Sequence, residues 1–282
     1  MLKVFILCIV FLAPINEVLA QDRTDLPARF ERDVIGSIGD VSEWYDAPVL
    51  LLFLARNSYK ADNPATKLVS LPPLPFEKQL AEGFSSAGNG QLSPGSLDSW
   101  MLPNVIFATR LLYAMGNTLG GNADMRDEYA HAWGFYKVLM YNHIATELIK
   151  NTVRRARPDA SDTKSFFSGH TSSAFVTSAF LYRETADALE AWDALRDMPE
   201  LRTGLKYGSF AVFYGWAAYV GYSRIADNKH YLTDVLVGAT VGTLIGNLVY
   251  GHYFTRDRDS GLPEIGIGMV DAQPALSFSI QF

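Results

Sequence analysis

Ser223 and Arg224 precede His230 by a gap of five residues, and Asp234 follows four positions later. On a helix the last two would share one face. A carboxylate one turn from an imidazole can hold its tautomer and stabilise the charge that develops on the ring, which suits a nucleophile or a base. Two upstream stretches supply what this one lacks. In KNTVRRARP, Lys150 and Arg157 are seven apart, about two turns of helix and nearly the same azimuth, so two permanent cations would face one point. In SFFSGHT, Ser168, Gly169 and His170 stand just before the apolar-periodic run from Ser172 to Tyr182. That position predicts a helix N-terminus, where free N–H groups and the helix dipole favour a bound anion. A lysine, two arginines, backbone amides and two histidines make an oxyanion site of phosphate size.

The order Lys-x6-Arg-Pro, then Ser-Gly-His, then Ser-Arg-x5-His-x3-Asp resembles the three-part signature of the type-2 phosphatidic acid phosphatase family, which also holds bacterial acid phosphatases and vanadium-dependent haloperoxidases. The signature runs from Lys150 to Asp234 and departs from the family at one place, where Phe167 stands instead of the usual proline before Ser-Gly-His. The resemblance implies an all-α helical bundle and a phosphatase acting on phosphate monoesters: a lipid phosphate, an isoprenoid pyrophosphate or a small soluble ester. It implies that His230 forms a phosphohistidine, that Asp234 holds its ring, and that His170 is the acid and base. Lys150, Arg157, Arg224, Ser168 and the Gly169 amide would bind the phosphate oxygens. No metal or other cofactor is implied, and vanadate is the expected inhibitor. The same residues in a haloperoxidase hold vanadate as cofactor, and a non-catalytic envelope scaffold is the alternative of a different class.

The elements that must position these residues are legible as helices. Apolar stretches at Ala47 to Ala55, Trp100 to Gly116 and Met125 to Ala156 read as helices, the second packed on protein with one wet face around Arg110, the third ended by Arg157-Pro158. Between the first two lies a Pro-, Gly- and Ser-rich excursion, Asn57 to Ser99, with a short helix expected near Phe76 to Phe84. Arg183 to Arg202 is polar and predicts exposed helix, and Leu205 to Gly221 is apolar and aromatic, with Gly215 and Ala218 allowing tight contact. Gly238, Gly242 and Gly246 continue the stripe of His230 and Asp234 at four-residue steps. Each glycine costs a helix about 1 kcal/mol relative to alanine, so three in register predict a close backbone crossing with another helix. His131 and His143 fall outside the signature and read as satisfied structural residues, His143 standing seven residues before Lys150, where it could donate to a residue of the site. Alternation at Ile265, Ile267, Met269 and again from Leu276 to Phe282 predicts a short C-terminal β-hairpin around Asp271 to Pro274, capping the helical body.

Composition narrows the setting. Residues 1–20 read as a secretory signal, with Lys3, the apolar core Val4 to Ala13, and Val18-Leu19-Ala20 at the cleavage site. Removing it takes away Cys8, the single cysteine, so neither disulfide nor thiolate metal site is expected. A net charge of −6 argues against a nucleic-acid partner. The expected organisation is a phosphatase domain over 21–258 and a strand pair over 259–282. Tyr207 to Ser223 and Val235 to Tyr250 are the candidates near spanning length, at the lower edge of the ~17 to 25 residues a bilayer needs. With 19% charged residues and a mean hydropathy of +0.05, the expectation is a secreted protein, periplasmic in a Gram-negative source, with peripheral membrane contact. Integral membrane insertion is the alternative.

Overall fold

The computed structural model describes residues 25–55, 71–85, 101–121, 124–255, 264–270 and 273–279. The expected signal at 1–20 and most of the excursion over 57–99 lie outside the described residues. A broken N-terminal helix comprises α1 (Leu26–Phe30), a π-helical turn (Glu31–Ile35) and α2 (Gly36–Asp40), followed by α3 (Asp46–Leu54) and α4 (Pro75–Ser85). The body is α5 (Met101–Gly120), α6 (Arg126–Val153), α7 (Gly169–Ala191), α8 (Pro199–Ala226) and α9 (Leu232–Phe254). At the C-terminus the backbones of β1 (Glu264–Val270) and β2 (Gln273–Ser279) run antiparallel, Ile267 opposite Leu276. The helical body is the expected fold class.

Helix α7 is the centre of the bundle, packed on α6, α8 and most extensively α9. Phe135 and Val138 of α6, Val176 and Phe180 of α7, and Tyr250 of α9 form its largest buried cluster. Ala174 meets Ala217 and Val220 of α8 on another face. The α7/α9 crossing is as close as the glycine stripe predicts. A Cβ at Gly242 would sit 2.3 Å from the Ser172 carbonyl oxygen, at Gly238 2.7 Å from that of Ser168, and at Gly246 2.9 Å from that of Val176. No side chain fits there.

Three expectations are corrected. Helix α6 stops at Val153, because Arg154 takes a left-handed conformation (φ 48°, ψ 51°) and turns the chain out of the helix before Pro158 is reached. Arg157 is therefore on a loop and shares no helical face with Lys150. Helix α7 runs on to Ala191, since its polar residues have partners inside the bundle. Arg183 donates to Thr255 Oγ1 at 3.0 Å, Glu184 accepts from Arg110, and Asp187 accepts the Tyr250 hydroxyl at 2.8 Å. For the same reason Arg110 is no wet face: its side chain is 17% exposed and turned inward to Glu184. The outward face of α5 carries Val105, Leu112, Met115 and Leu119 instead.

Candidate active site

The last turn of α6, the first of α7, the last of α8 and the first of α9 meet at one end of the bundle. Each brings part of the signature. Lys150 lies one turn before the end of α6, and Arg224 in the last turn of α8; both are buried. Ser168 is the N-cap of α7, its hydroxyl accepting from Thr171 N–H and from the Thr171 hydroxyl at 2.9 Å. Gly169 and His170 occupy the first turn, whose N–H groups have no acceptor within their own helix. A Cβ on Gly169 would come 3.0 Å from Thr146 Cγ2 and 3.2 Å from Lys150 Nζ, so the helix N-terminus and the amine lie close together here. His170 is within electrostatic reach of Arg224, Lys150, His230 and Arg157. Lys150, Arg157, His170, Arg224 and His230 thus come within electrostatic reach of one another.

The loop from Arg154 to Ser168 folds back on itself to bring Arg157 there. Arg157 N–H donates to Asp162 O at 3.0 Å and Ser165 N–H to Arg155 O at 3.0 Å. The Asp162 carboxylate takes Arg157 Nε at 2.6 Å and so aims the other guanidinium edge, which reaches the Lys229 carbonyl at 3.1 Å and His230 Nε2 at 3.2 Å. Asp227, three residues after Arg224, holds that arginine in the same way.

His230 is not helical. It sits in the loop between α8 and α9, its N–H bonded to the Arg224 carbonyl at 3.2 Å, while Asp234 lies in the first turn of α9. The helical i, i+4 face expected for this pair is replaced by a tighter arrangement. His230 Nδ1 is 2.7 Å from the Ser165 carbonyl oxygen and 3.8 Å from Asp234 Oδ2. The direct holder of the ring is a backbone carbonyl. Asp234 acts on what surrounds it, accepting from the Ser165 hydroxyl at 2.5 Å, Tyr231 N–H at 2.8 Å and Arg155 Nη1 at 2.5 Å. The bond to Tyr231 is the carboxylate half of a capping box.

This geometry selects the tautomer. A carbonyl only accepts and a guanidinium only donates, so Nδ1 carries the proton and Nε2 the lone pair facing Arg157. Burial, together with the positive charges of Lys150 and Arg157, pushes the His230 imidazolium down to about 4 against the upward pull of Asp234. The ring is neutral, and its Nε2 lone pair faces Arg157 with Lys150 nearby.

Among the residues outside the signature, His131 pairs with Glu184 at 2.9 Å and His143 stacks edge-on against Phe53, both away from the site. Phe167 is buried at the position of the family proline. Arg155, Ser165, Asp162 and Glu77, whose hydrogen bonds complete the surroundings of Asp234 and Arg157, are not distinguished by spacing. Among the described residues no group of three His, Cys, Asp or Glu side chains is arranged to hold a metal ion.

Comparison with known proteins bears on these residues. Residues 132–258 match the PAP2 superfamily. The chain is 31% identical over 131 residues to the lipid A 1-phosphatase of Porphyromonas gingivalis, an alignment covering 42% of this chain and 24% of that one. It is 39% identical over 96 residues to phospholipid phosphatase 2 of Rattus norvegicus, covering 33% and 32%. The match thus spans about a quarter to a third of these relatives' length. A crystal structure of a transmembrane PAP2 type phosphatidylglycerolphosphate phosphatase from Bacillus subtilis aligns over 83% of this chain and 98% of its own at 19% identity, with a TM-score of 0.41.

Proposed function

We propose that this chain, which carries a PAP2 superfamily domain at residues 132–258, is a phosphatase of lipid phosphates that works without a metal ion. The observation that carries the reading is the His230 ring: neutral, proton on Nδ1, with Nε2 presented beside Arg157. The names of the two curated relatives support a phosphorylated lipid as substrate. The phosphate would lie at the N-terminus of α7, its equatorial oxygens taken by Lys150, Arg157, Arg224, the Ser168 hydroxyl and the Gly169 amide. Charge on those oxygens is what phosphoryl transfer must stabilise. His230 Nε2 forms a bond to phosphorus as the ester P–O bond breaks; His170, neutral in the empty site because burial and then the charges of Arg224 and Lys150 hold its imidazolium down to about 3, takes up the proton of the bound phosphate monoanion and passes it to the leaving alkoxide. In the second half His170 takes a proton from water, water oxygen bonds to phosphorus, and the P–N bond breaks to release phosphate. We keep residues 21–258 as the domain and read the strand pair as its cap.

For location we favour membrane insertion over secretion as a soluble protein. Helix α9 is long and apolar enough to cross a bilayer, and only 28% of its most apolar stretch is buried inside the protein. Its Leu236, Leu244 and Leu248, with Leu112 and Leu119 of α5 and Val212 and Tyr219 of α8, face outward. The ionisable side chains at that depth face inward in pairs, as they do in lipid. The site then opens at one membrane face.

The test is phosphate release by the full chain in detergent, from phosphatidic acid and from an aryl phosphate, with and without vanadate or EDTA, beside His230→Ala. Release that vanadate stops, EDTA spares and His230→Ala abolishes is expected, with phosphatidic acid the better substrate. A divalent-cation requirement would overturn the metal-independent assignment. A folded protein that releases nothing turns the assignment to vanadium-dependent halide oxidation or to a scaffold.

A further inference from the structure

Glu77 lies outside the matched domain, on the short helix α4, yet its carboxylate is the most deeply committed acid of the site. The side chain is fully buried. Oε1 accepts from Thr233 N–H at 2.8 Å and the Thr233 hydroxyl at 2.6 Å, across 156 residues of chain. Oε2 accepts from Arg155 Nη2 at 2.7 Å and from Leu74 N–H at 2.8 Å. Arg155 in turn holds Thr233 Oγ1 at 2.8 Å and Asp234 Oδ1 at 2.5 Å with its other nitrogen, and its guanidinium lies 4.5 Å from the centre of the Tyr231 ring. From Asp234 the chain of bonds passes through the Ser165 hydroxyl to the same residue's carbonyl, which holds His230 Nδ1.

We propose that Glu77 is a positioning residue for His230, acting through Arg155, Asp234 and Ser165 and through the first turn of α9. Two physical facts require it. Arg155 is buried, and its guanidinium is left short of a compensating carboxylate when Glu77 is removed. Without Glu77 it must turn away from Asp234 or admit water. Thr233 N–H is also one of the first N–H groups of α9, which the helix itself cannot satisfy. Glu77 therefore pins both the arginine and the helix start that bracket the nucleophile. The hydrogen bonds of the Glu77 carboxylate run to Leu74, Arg155 and Thr233, so its replacement acts first on the surroundings of His230.

This inference deepens the phosphatase reading and rests on it for the kinetic part of its test. Glu77→Gln keeps the volume and the bonds from Thr233 but turns a donor toward Arg155. We expect kcat to fall on the order of 10- to 100-fold, as for ångström-scale misplacement of a reacting group, with KM within about threefold. Glu77→Asp, one methylene short, should fall between, and serves if the glutamine variant does not fold. The second readout is the His230 Nδ1–H resonance of the ¹⁵N-histidine-labelled full chain in detergent, assigned by its loss in His230→Ala. It should be slowly exchanging in the wild type and broadened or lost in both Glu77 variants. Wild-type kcat and an unchanged resonance in a folded Glu77 variant, whatever its thermal stability, would overturn the proposal and leave Glu77 a structural tie. A wild type that releases no phosphate, but whose resonance still depends on Glu77, would sink the phosphatase reading and leave the positioning role standing.

Discussion

The environment of His230 decides its protonation, and this can be tested on one side chain. An exposed imidazole titrates near 6.5; His230 is held down to about 4, first by burial and then by Lys150 and Arg157. Its neutral form is thus favoured by the fold. Because the unfolded chain takes up its proton at the higher pH, His230 contributes stability above about 6.5 that is lost as pH falls toward 4. The expected outcome in ligand-free protein is a ¹⁵N titration of His230 with its midpoint near 4 and stability that declines over the same window; a midpoint near 6.5 would mean a solvated ring. The residues that do this were legible unevenly. Lys150, Arg157, His170, Arg224 and His230 stand out because charged types recur at motif spacing. The Ser165 carbonyl that orients the ring could not be read, since every residue has one, and Asp234 looked like its direct partner only because four-residue spacing suggests a helix that here begins after His230.

At the scale of elements, the three glycines of α9 set how close that helix, which starts just after His230, comes to α7. The stripe was legible because three glycines in register are too costly without a contact to justify them. Its partner, the Ser168 and Ser172 carbonyls of α7, needed the structure. The two ends of the stripe should respond differently to a methyl group. Gly242→Ala meets the Ser172 carbonyl at 2.3 Å and Val176 N at 3.0 Å, in the middle of the crossing. It should lower stability by about 1 to 3 kcal/mol through overpacking, read as an earlier thermal transition. Gly238→Ala meets the Ser168 carbonyl at 2.7 Å, on the residue that caps the first turn of α7. It should lose activity out of proportion to stability, seen as a kcat loss larger than the Gly242→Ala loss at matched fraction folded. Equal losses at the two positions would mean that the crossing acts as one rigid contact. The α6 terminus shows the opposite limit of sequence reading. Proline marks a helix boundary, but a left-handed Arg154 with no glycine to announce it ended the helix earlier and moved Arg157 onto a loop.

Across the described residues of the helical body, several charged side chains are paired inside while large apolar side chains stand on the outside. Arg110, Glu184 and His131 meet inside, and Lys137 binds Asp46 at 2.7 Å and the Val41 carbonyl at 3.0 Å, while leucines line the outside. An amphipathic pattern read along the chain does not say which face is wet. That is why Arg110 looked like a surface residue and average hydropathy looked too low for a membrane protein. Charges paired inside the bundle lower the average without touching lipid. Helix α9 carries the sharpest test: 23 residues at about 1.5 Å each reach about 34 Å, slightly more than the ~30 Å hydrocarbon core, with Leu244 near the middle and 54% exposed. In water, Leu244→Lys is a surface change worth no more than about 0.5 kcal/mol. In a bilayer the same lysine at the centre of a span costs about 2.5 to 3.5 kcal/mol on the insertion scale. The wild type should therefore stay in the membrane pellet after alkaline carbonate, and Leu244→Lys should accumulate far less inserted protein. A variant that is as abundant as wild type and stays in solution without detergent would return the chain to the periplasm as a soluble enzyme, with its outward leucines covered by something other than lipid.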